Sequence, residues 1–182
     1  SGPLLSRALC AGLVATGCDV IDLGSVPTPL LYYATHVLNT RSGVMLTGSH
    51  NPPDYNGLKM VIAGSTLSED GIKNLYTRIL ARQFRQGNAD VAQLNITERY
   101  ITRVLQDVTL ARRLKIVVDG GNAIAGSVAP ELYRRMGCEV HELFCAVDGN
   151  FPHHHPDTSQ PENLQDLSRA VQETRADIGL AL

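Results

Sequence analysis

The sequence predicts an α/β protein made of two related units, and three observations carry that expectation. Gly17-Cys18-Asp19-Val20-Ile21-Asp22-Leu23 returns as Gly137-Cys138-Glu139-Val140-His141-Glu142-Leu143, each copy after a helix-like segment and before a Pro-containing loop. Short apolar runs bounded by turn residues alternate with longer stretches whose apolar residues recur at helical spacing. Apolar residues make up 43% of the 182, ample for buried cores.

The elements follow in order. Ser1-Gly2-Pro3 starts a helix with Leu4, Leu5, Ala8, Leu9 and Leu13 on one side, and Gly17 ends it. A strand is expected over Val20 to Leu23. Thr28-Pro29 reads as an N-cap with proline at the first helical position, opening a helix over Leu30 to Leu38. Gly43 to Leu46 and Leu58 to Ile62 read as strands, with Asn56-Gly57 a hairpin signal between them. Ser68-Glu69-Asp70 opens a helix carrying Ile72, Leu75, Tyr76 and Ile79, its acids placed to complement the helix dipole.

From Arg82 to Asn95 the pattern turns polar and loses its period, which predicts a linker and places the unit boundary at 94/95. Tyr100, Ile101, Val104 and Leu105 are spaced for a connecting helix. The second unit proper runs as strand Lys115 to Val118, a glycine-rich turn, a helix through Ala129, Leu132, Tyr133 and Met136, and strand Val140 to Leu143. A loop, a helix with Leu164, Leu167 and Val171, and an apolar strand from Ile178 to Leu182 complete it. Superposing the two units predicts that each is incomplete at one chain end. The first begins directly at its helix, without a strand like Lys115 to Val118, and the second stops where a loop like that after Thr47 is due.

A formal charge of −2 carries no basic stripe for nucleic acid. No apolar run approaches the ~18 residues that span a membrane, and no signal-peptide pattern opens the sequence, so a cytosolic location is expected. Cys10, Cys18, Cys138 and Cys145 form no C-x-x-C pair and are expected to be reduced thiols.

The most informative run is Thr47-Gly48-Ser49-His50-Asn51-Pro52-Pro53-Asp54-Tyr55-Asn56-Gly57-Leu58-Lys59. It places a serine hydroxyl where a strand runs out, beside an imidazole and an amine. Pro52 and Pro53 fix φ and push Asn51 into extended geometry, and Asn56-Gly57 holds the far end, so the loop can aim Ser49. Serine hydrolysis fits poorly: the run is not a Gly-x-Ser-x-Gly elbow, and a strand rather than a helix follows it.

The run resembles the active-site phosphoserine loop of the α-D-phosphohexomutases, most closely their phosphomannomutase/phosphoglucomutase branch. The resemblance implies two three-layer α/β units, residues 1–94 and 95–182, that are most of the first two of four domains. It implies that Ser49 carries a phosphoryl group to a hydroxyl of a phosphosugar, such as mannose or glucose 1- or 6-phosphate, and takes the other phosphate back from the bisphosphate. A phosphoserine bears about −1.5 to −2 charges, so it needs cations and donors, which His50 and Lys59 supply. Lys59 is the candidate general acid/base, His50 lies in the site, and Thr47 and Asn51 support the loop. Mg²⁺ is the expected metal, bound by Ser49 through its phosphate and by aspartates expected directly after Leu182. A hexose 1,6-bisphosphate is the expected activator, and the third and fourth domains of the parent chain are the expected partners. A non-catalytic relic or interaction module that keeps the fold is the alternative.

Two further motifs invite other chemistry. In Asp119-Gly120-Gly121-Asn122-Ala123-Ile124-Ala125-Gly126-Ser127, Gly121 and Gly126 have P-loop spacing, but Ser127-Val128 stands where Lys and Ser/Thr are needed, and Ala123 breaks G-x-G-x-x-G. The turn resembles the Asp-x-Gly-Asn-Gly stretch of the family, with Ala123 replacing the last glycine. A positive φ there would cost on the order of 1 kcal/mol. On an extended segment His153, His155 and Asp157 would face one way as metal ligands do, yet three consecutive histidines make a poor preformed site. The stretch from Asp148 to Asp157 resembles a family loop with asparagine at the place of His153, and is read as structural.

Overall fold

A computed structural model describes residues 2–49, 51 and 55–182; Ser1, His50, Pro52, Pro53 and Asp54 lie outside the described residues. Two compact units divide the protein, the first drawn mainly from residues up to Ile96 and the second mainly from Thr97 onward, with Ser25–Pro27 grouped with the second.

The first unit opens with helix α1 (Gly2–Val14) and strand β1 (Val20–Asp22), followed by helix α2 (Thr28–Val37). Gly17 takes φ +82 after α1, as Gly137 takes φ +93 before the echoed strand, a left-handed turn that lets a helix end and a strand begin. Strands β2 (Gly43–Thr47), β3 (Gly57–Ile62) and β4 (Ser65–Thr66) then form an antiparallel sheet. Helix α3 (Glu69–Leu80) starts after Ser68, whose extended backbone leaves its carbonyl to accept the Ile72 N–H at 2.9 Å. Among the described residues, Leu30, Ala34, Val61 and Ile96 are the buried apolar ones of this unit, and α1 and α3 bury none.

The polar stretch read as a linker is not one throughout. Val91–Gln93 forms strand β5, parallel to β1 in the register Val20↔Val91 to Asp22↔Gln93. Its three residues are all exposed and too few to show a period, so a strand made by backbone pairing alone carries no apolar signal in its residue types. Gly87 N–H also donates to the Ala15 carbonyl at 2.9 Å, docking the chain from there onward. Limited trypsin digestion should therefore cut first at Arg82 or Arg85, leaving 87–95 protected by β1. Early cleavage among 87–95 by a protease of broad specificity would contradict that docking.

The second unit begins with helix α4 (Thr97–Asp107) and strand β6 (Lys115–Asp119). A 3₁₀ turn (Ile124–Ser127), helix α5 (Ala129–Arg135) and strand β7 (Glu139–Leu143) follow. A second 3₁₀ turn (Pro161–Leu164) leads into helix α6 (Gln165–Thr174) and strand β8 (Ile178–Ala181). Bidentate contact of Arg135 Nη1 with both Glu98 carboxylate oxygens at 2.8 Å ties α4 to α5.

The sheet is parallel in the order β7-β6-β8. Because β6 has neighbours on both edges and helices on both faces, its residues read as an unbroken apolar run rather than an alternating one. Ile116 and Val118 pack with Cys138, Tyr133 and Leu180 on one face, and Val117 packs with Leu167 and Ala170 of α6 on the other. Helix, sheet and helix thus make three layers here. The echo locates a difference: β7 is the counterpart of β1, and β8 of β2. In the second unit β6 lies between that pair, whereas β1 and β2 belong to separate sheets with no strand between them among the described residues.

Candidate active site

β2 and β3 pair antiparallel from Gly43↔Val61 to Thr47↔Gly57, so the loop bearing Ser49 springs from the last pair of a hairpin. The Asn56-Gly57 dipeptide is not itself the turn; Gly57 is the first paired residue of β3, and residues 48–56 span the gap. Ser49 is exposed and holds φ +53, a left-handed conformation that costs a non-glycine residue about 1–2 kcal/mol. Two contacts impose it. Thr47 Oγ1 accepts the Ser49 N–H at 2.9 Å, a side-chain turn that stands in for the next rung of the ladder. Gly48 runs against the returning chain so closely that a Cβ there would sit 2.9 Å from the Tyr55 carbonyl oxygen.

Lys59 lies opposite Met45, and Thr47 opposite Gly57, so the alternation of β-strand side chains puts Lys59 on the same face as Thr47. It is exposed, as is Asn51 in the loop. His50 lies outside the described residues, so the expected set is described for Ser49, Thr47, Asn51 and Lys59. The opposite face of the hairpin carries Leu46 and Leu58, which with Leu5, Leu9, Asn56 and Gly57 line a cavity of about 210 Å³. Its walls are apolar and face away from Lys59, so it does not hold phosphate-binding cations.

The glycine turn after β6 is closed to phosphate. Gly121 N–H donates to Asp119 Oδ1, Asn122 N–H to the Phe144 carbonyl, and Ala123 N–H to the Gly120 carbonyl, so these donors are spent within the protein. Ala123 has φ −87 and ψ 171, ordinary extended backbone; the left-handed residues are Gly121 and Asn122, and alanine at 123 carries no strain. The histidines do not converge as metal ligands either. His153 Nδ1 meets Asn122 Oδ1 at 2.7 Å, His154 Nε2 meets Asp119 Oδ2 at 2.9 Å, and His155 is exposed. Among the described residues no group of three or more His, Cys, Asp or Glu could hold a metal ion. The Asp119–His154 pair escapes a reading of the sequence because 35 residues separate its members; an aspartate ending the most apolar strand is the one signal that points to it.

Burial first, and then the negative charge of Glu142, push the Cys145 thiol up to about 11, and burial also raises Cys138, so both thiols stay protonated and inert. Among the described residues no helix is long and apolar enough to cross a membrane.

Fold and loop define the class: paired α/β units with a serine loop of the hexose-phosphate mutase type. The chain belongs to the phosphoglucomutase/phosphomannomutase family, matching its alpha/beta/alpha domain I over residues 1–86 and its alpha/beta/alpha domain II over 98–182. A phosphomannomutase/phosphoglucomutase of Pseudomonas putida is 56% identical over 181 residues, covering all of this chain and 39% of that protein. A phosphoglucomutase of Neisseria gonorrhoeae is 46% identical over 185 residues, again covering all of this chain and 40% of that protein. The crystal structure of a phosphoglucomutase/phosphomannomutase family protein from Burkholderia thailandensis superposes with a TM-score of 0.96 at 47% identity, covering 100% of this chain and 42% of that one. The chain thus spans about two-fifths of the length of the relatives it matches.

Proposed function

We propose that this chain forms the phosphoserine-bearing part of a hexose-phosphate mutase that interconverts hexose 1-phosphate and hexose 6-phosphate in the cytosol. The observation that carries the reading is Ser49, held left-handed by Thr47 and Gly48 at the open end of a hairpin, exposed to solvent. Phosphoryl transfer asks mainly for positioning and charge stabilisation, which a rigid, protruding hydroxyl serves. In the forward step the bond from Ser49 Oγ to phosphorus breaks as a sugar hydroxyl oxygen bonds to phosphorus. Lys59 takes up the hydroxyl proton, and His50 adds positive charge at the loop. In the return step the second phosphate of the bisphosphate passes to the Ser49 Oγ freed in the forward step, and the sugar oxygen it leaves takes back the proton held by Lys59.

The relatives named phosphomannomutase/phosphoglucomutase and phosphoglucomutase support mannose and glucose phosphates as substrates, and hexose 1,6-bisphosphate as activator follows from the same cycle. Magnesium stands differently. It is usually held by carboxylates together with phosphate oxygens, and the described residues supply no such cluster at Ser49. They do not by themselves fit the ion.

Incubating a chain of the relatives' full length with glucose 1,6-bisphosphate should add one phosphoryl group, mapped to Ser49 by peptide mass; modification of other serines with Ser49 untouched would defeat the reading. Residues 1–182 alone should show no turnover of glucose 1-phosphate to glucose 6-phosphate in a coupled assay, while a chain of the relatives' full length should. The grip on the distal phosphate and sugar hydroxyls, worth several kcal/mol of positioning, is expected from the remainder. Robust turnover by the 182 residues would show that they hold the substrate unaided.

A further inference from the structure

We propose that His154 is an imidazolium at neutral pH, paired with the buried Asp119 carboxylate, and that this pair is a proton-dependent latch fastening the long 144–160 segment to the turn after β6.

The geometry requires the proton. His154 Nε2 lies 2.9 Å from Asp119 Oδ2, and His154 Nδ1 lies 2.9 Å from the His155 carbonyl oxygen. Both partners are acceptors, and a neutral imidazole has a single N–H to donate. A ring that satisfies both must be doubly protonated. Asp119 is 1% exposed and already accepts the Gly121 N–H through Oδ1, the bonding of an ionised carboxylate, so the cation faces its counter-charge away from water.

The environment agrees. Burial opposes a charged ring, but the His155 carbonyl, the Asp119 hydrogen bond and the charges of Asp119 and Asp166 outweigh it, and His154 is raised above the ordinary imidazole value. The groups facing it are Asp119 from β6, Asp166 from the first turn of α6, and His153 and His155 on its own segment. Phe144, at φ +49, receives the His154 ring edge-on at 5.5 Å and stacks on His153 at 4.0 Å.

The segment it fastens has further ties to the same turn. Asp148 N–H donates to the Asn122 carbonyl, and Asn122 Nδ2 to the Ala146 carbonyl. A third tie joins His153 Nδ1 to Asn122 Oδ1 at 2.7 Å; the first two involve no titrating group, so losing the His154 proton loosens the segment without freeing it. The sign follows from the raised value. The latch's contribution is complete below the unfolded imidazole value of about 6.5 and is lost as pH climbs through the higher folded value.

Two-dimensional ¹H–¹⁵N spectra of the histidine rings in the ¹⁵N-labelled protein at pH 7.0 test the assignment. Two slowly exchanging ring N–H signals from a single histidine are expected, both absent in His154→Gln. Asp119→Asn separates charge from packing: the amide can keep the Gly121 bond through Oδ1 and donate Nδ2–H to an unprotonated Nε2, while Nδ1–H still reaches His155. That variant should show one His154 ring proton at pH 7.0 and a titration shifted to lower pH. The midpoint difference between wild type and His154→Gln in thermal unfolding should narrow from pH 6 to pH 9. An unprotonated ring nitrogen on wild-type His154 at pH 7.0 would overturn the latch whether or not the variants fold, as would a titration unchanged in a folded Asp119→Asn.

Discussion

If the proposed cycle holds, replacing Ser49 by alanine in a chain of the relatives' full length should lower kcat for hexose-phosphate interconversion by several orders of magnitude, on the order of 10⁴ or more, the scale on which deleting an enzyme's nucleophile acts. Folding should be spared. Ser49 is exposed, and the bond that ties it to Thr47 runs from its main-chain N–H, which alanine keeps, so a stability change within about 0.5 kcal/mol is expected. Lys59→Ala and His50→Ala should cost less, about 10²–10³-fold each, because in the proposed cycle each supplies one element of charge or proton transfer rather than the bond-forming atom. Thr47 provides a sharper comparison. Valine keeps its shape and removes the oxygen that accepts the Ser49 N–H, whereas serine keeps the oxygen, so Thr47→Ser should phosphorylate at near the normal rate and Thr47→Val well below it. If Ser49→Ala retained ordinary turnover, the phosphoserine cycle would fail whatever the loop geometry.

Gly126→Ala should be among the most destabilising single changes in the second unit. A Cβ at this position would lie 2.5 Å from the Cys145 carbonyl oxygen and 2.8 Å from its Cα, both main-chain atoms that cannot rotate aside. The chain leaving β7 is pressed directly on the 3₁₀ turn, and opening that contact would also pull on the Asn122 N–H bond to Phe144. Overpacking of this kind costs about 1–3 kcal/mol, and a main-chain obstacle puts it at or above the upper end, ~3 kcal/mol. Urea unfolding followed by circular dichroism reads this as a lowered midpoint with an unchanged slope. A loss under about 1 kcal/mol would mean that the 144–146 chain yields easily.

Most of the fold was legible because it was written in patterns with a period. The stripes of α1, α2 and α6 and the unbroken run Lys115 to Val118 announced their elements, and the echoed Gly-Cys-acid-Val segment announced the pairing of units. What stayed hidden depended on backbone alone or on distance. β5 has three exposed residues and exists because β1 offers an edge. The ease of Ala123 follows from the left-handed steps falling at Gly121 and Asn122, a matter of turn path that residue types did not determine. The histidine run was legible as a cluster but not in its orientation, since period-two alternation applies to a strand and 153–155 is not one. At the serine loop the residue types marked out the run, and only the structure showed the hydroxyl of Thr47 folded back on the Ser49 amide.

Within residues 1–182 taken alone, the separation of β1 from β2 has a dynamic consequence. A sheet threaded by a central buried strand must break as a whole, whereas two small sheets held apart can open one at a time at lower cost. Amide exchange should therefore divide the protein unevenly. The N–H groups of Ile116, Val117 and Val118 should exchange only with the cooperative unfolding of the second unit, those of β1 and β5 should exchange first through a local opening, and the β2–β3 ladder should lie between. The serine hairpin of these 182 residues would then ride on a sheet that can breathe without unfolding its neighbour, and the proposed cycle asks for a doubly phosphorylated sugar to be admitted and released at that hydroxyl.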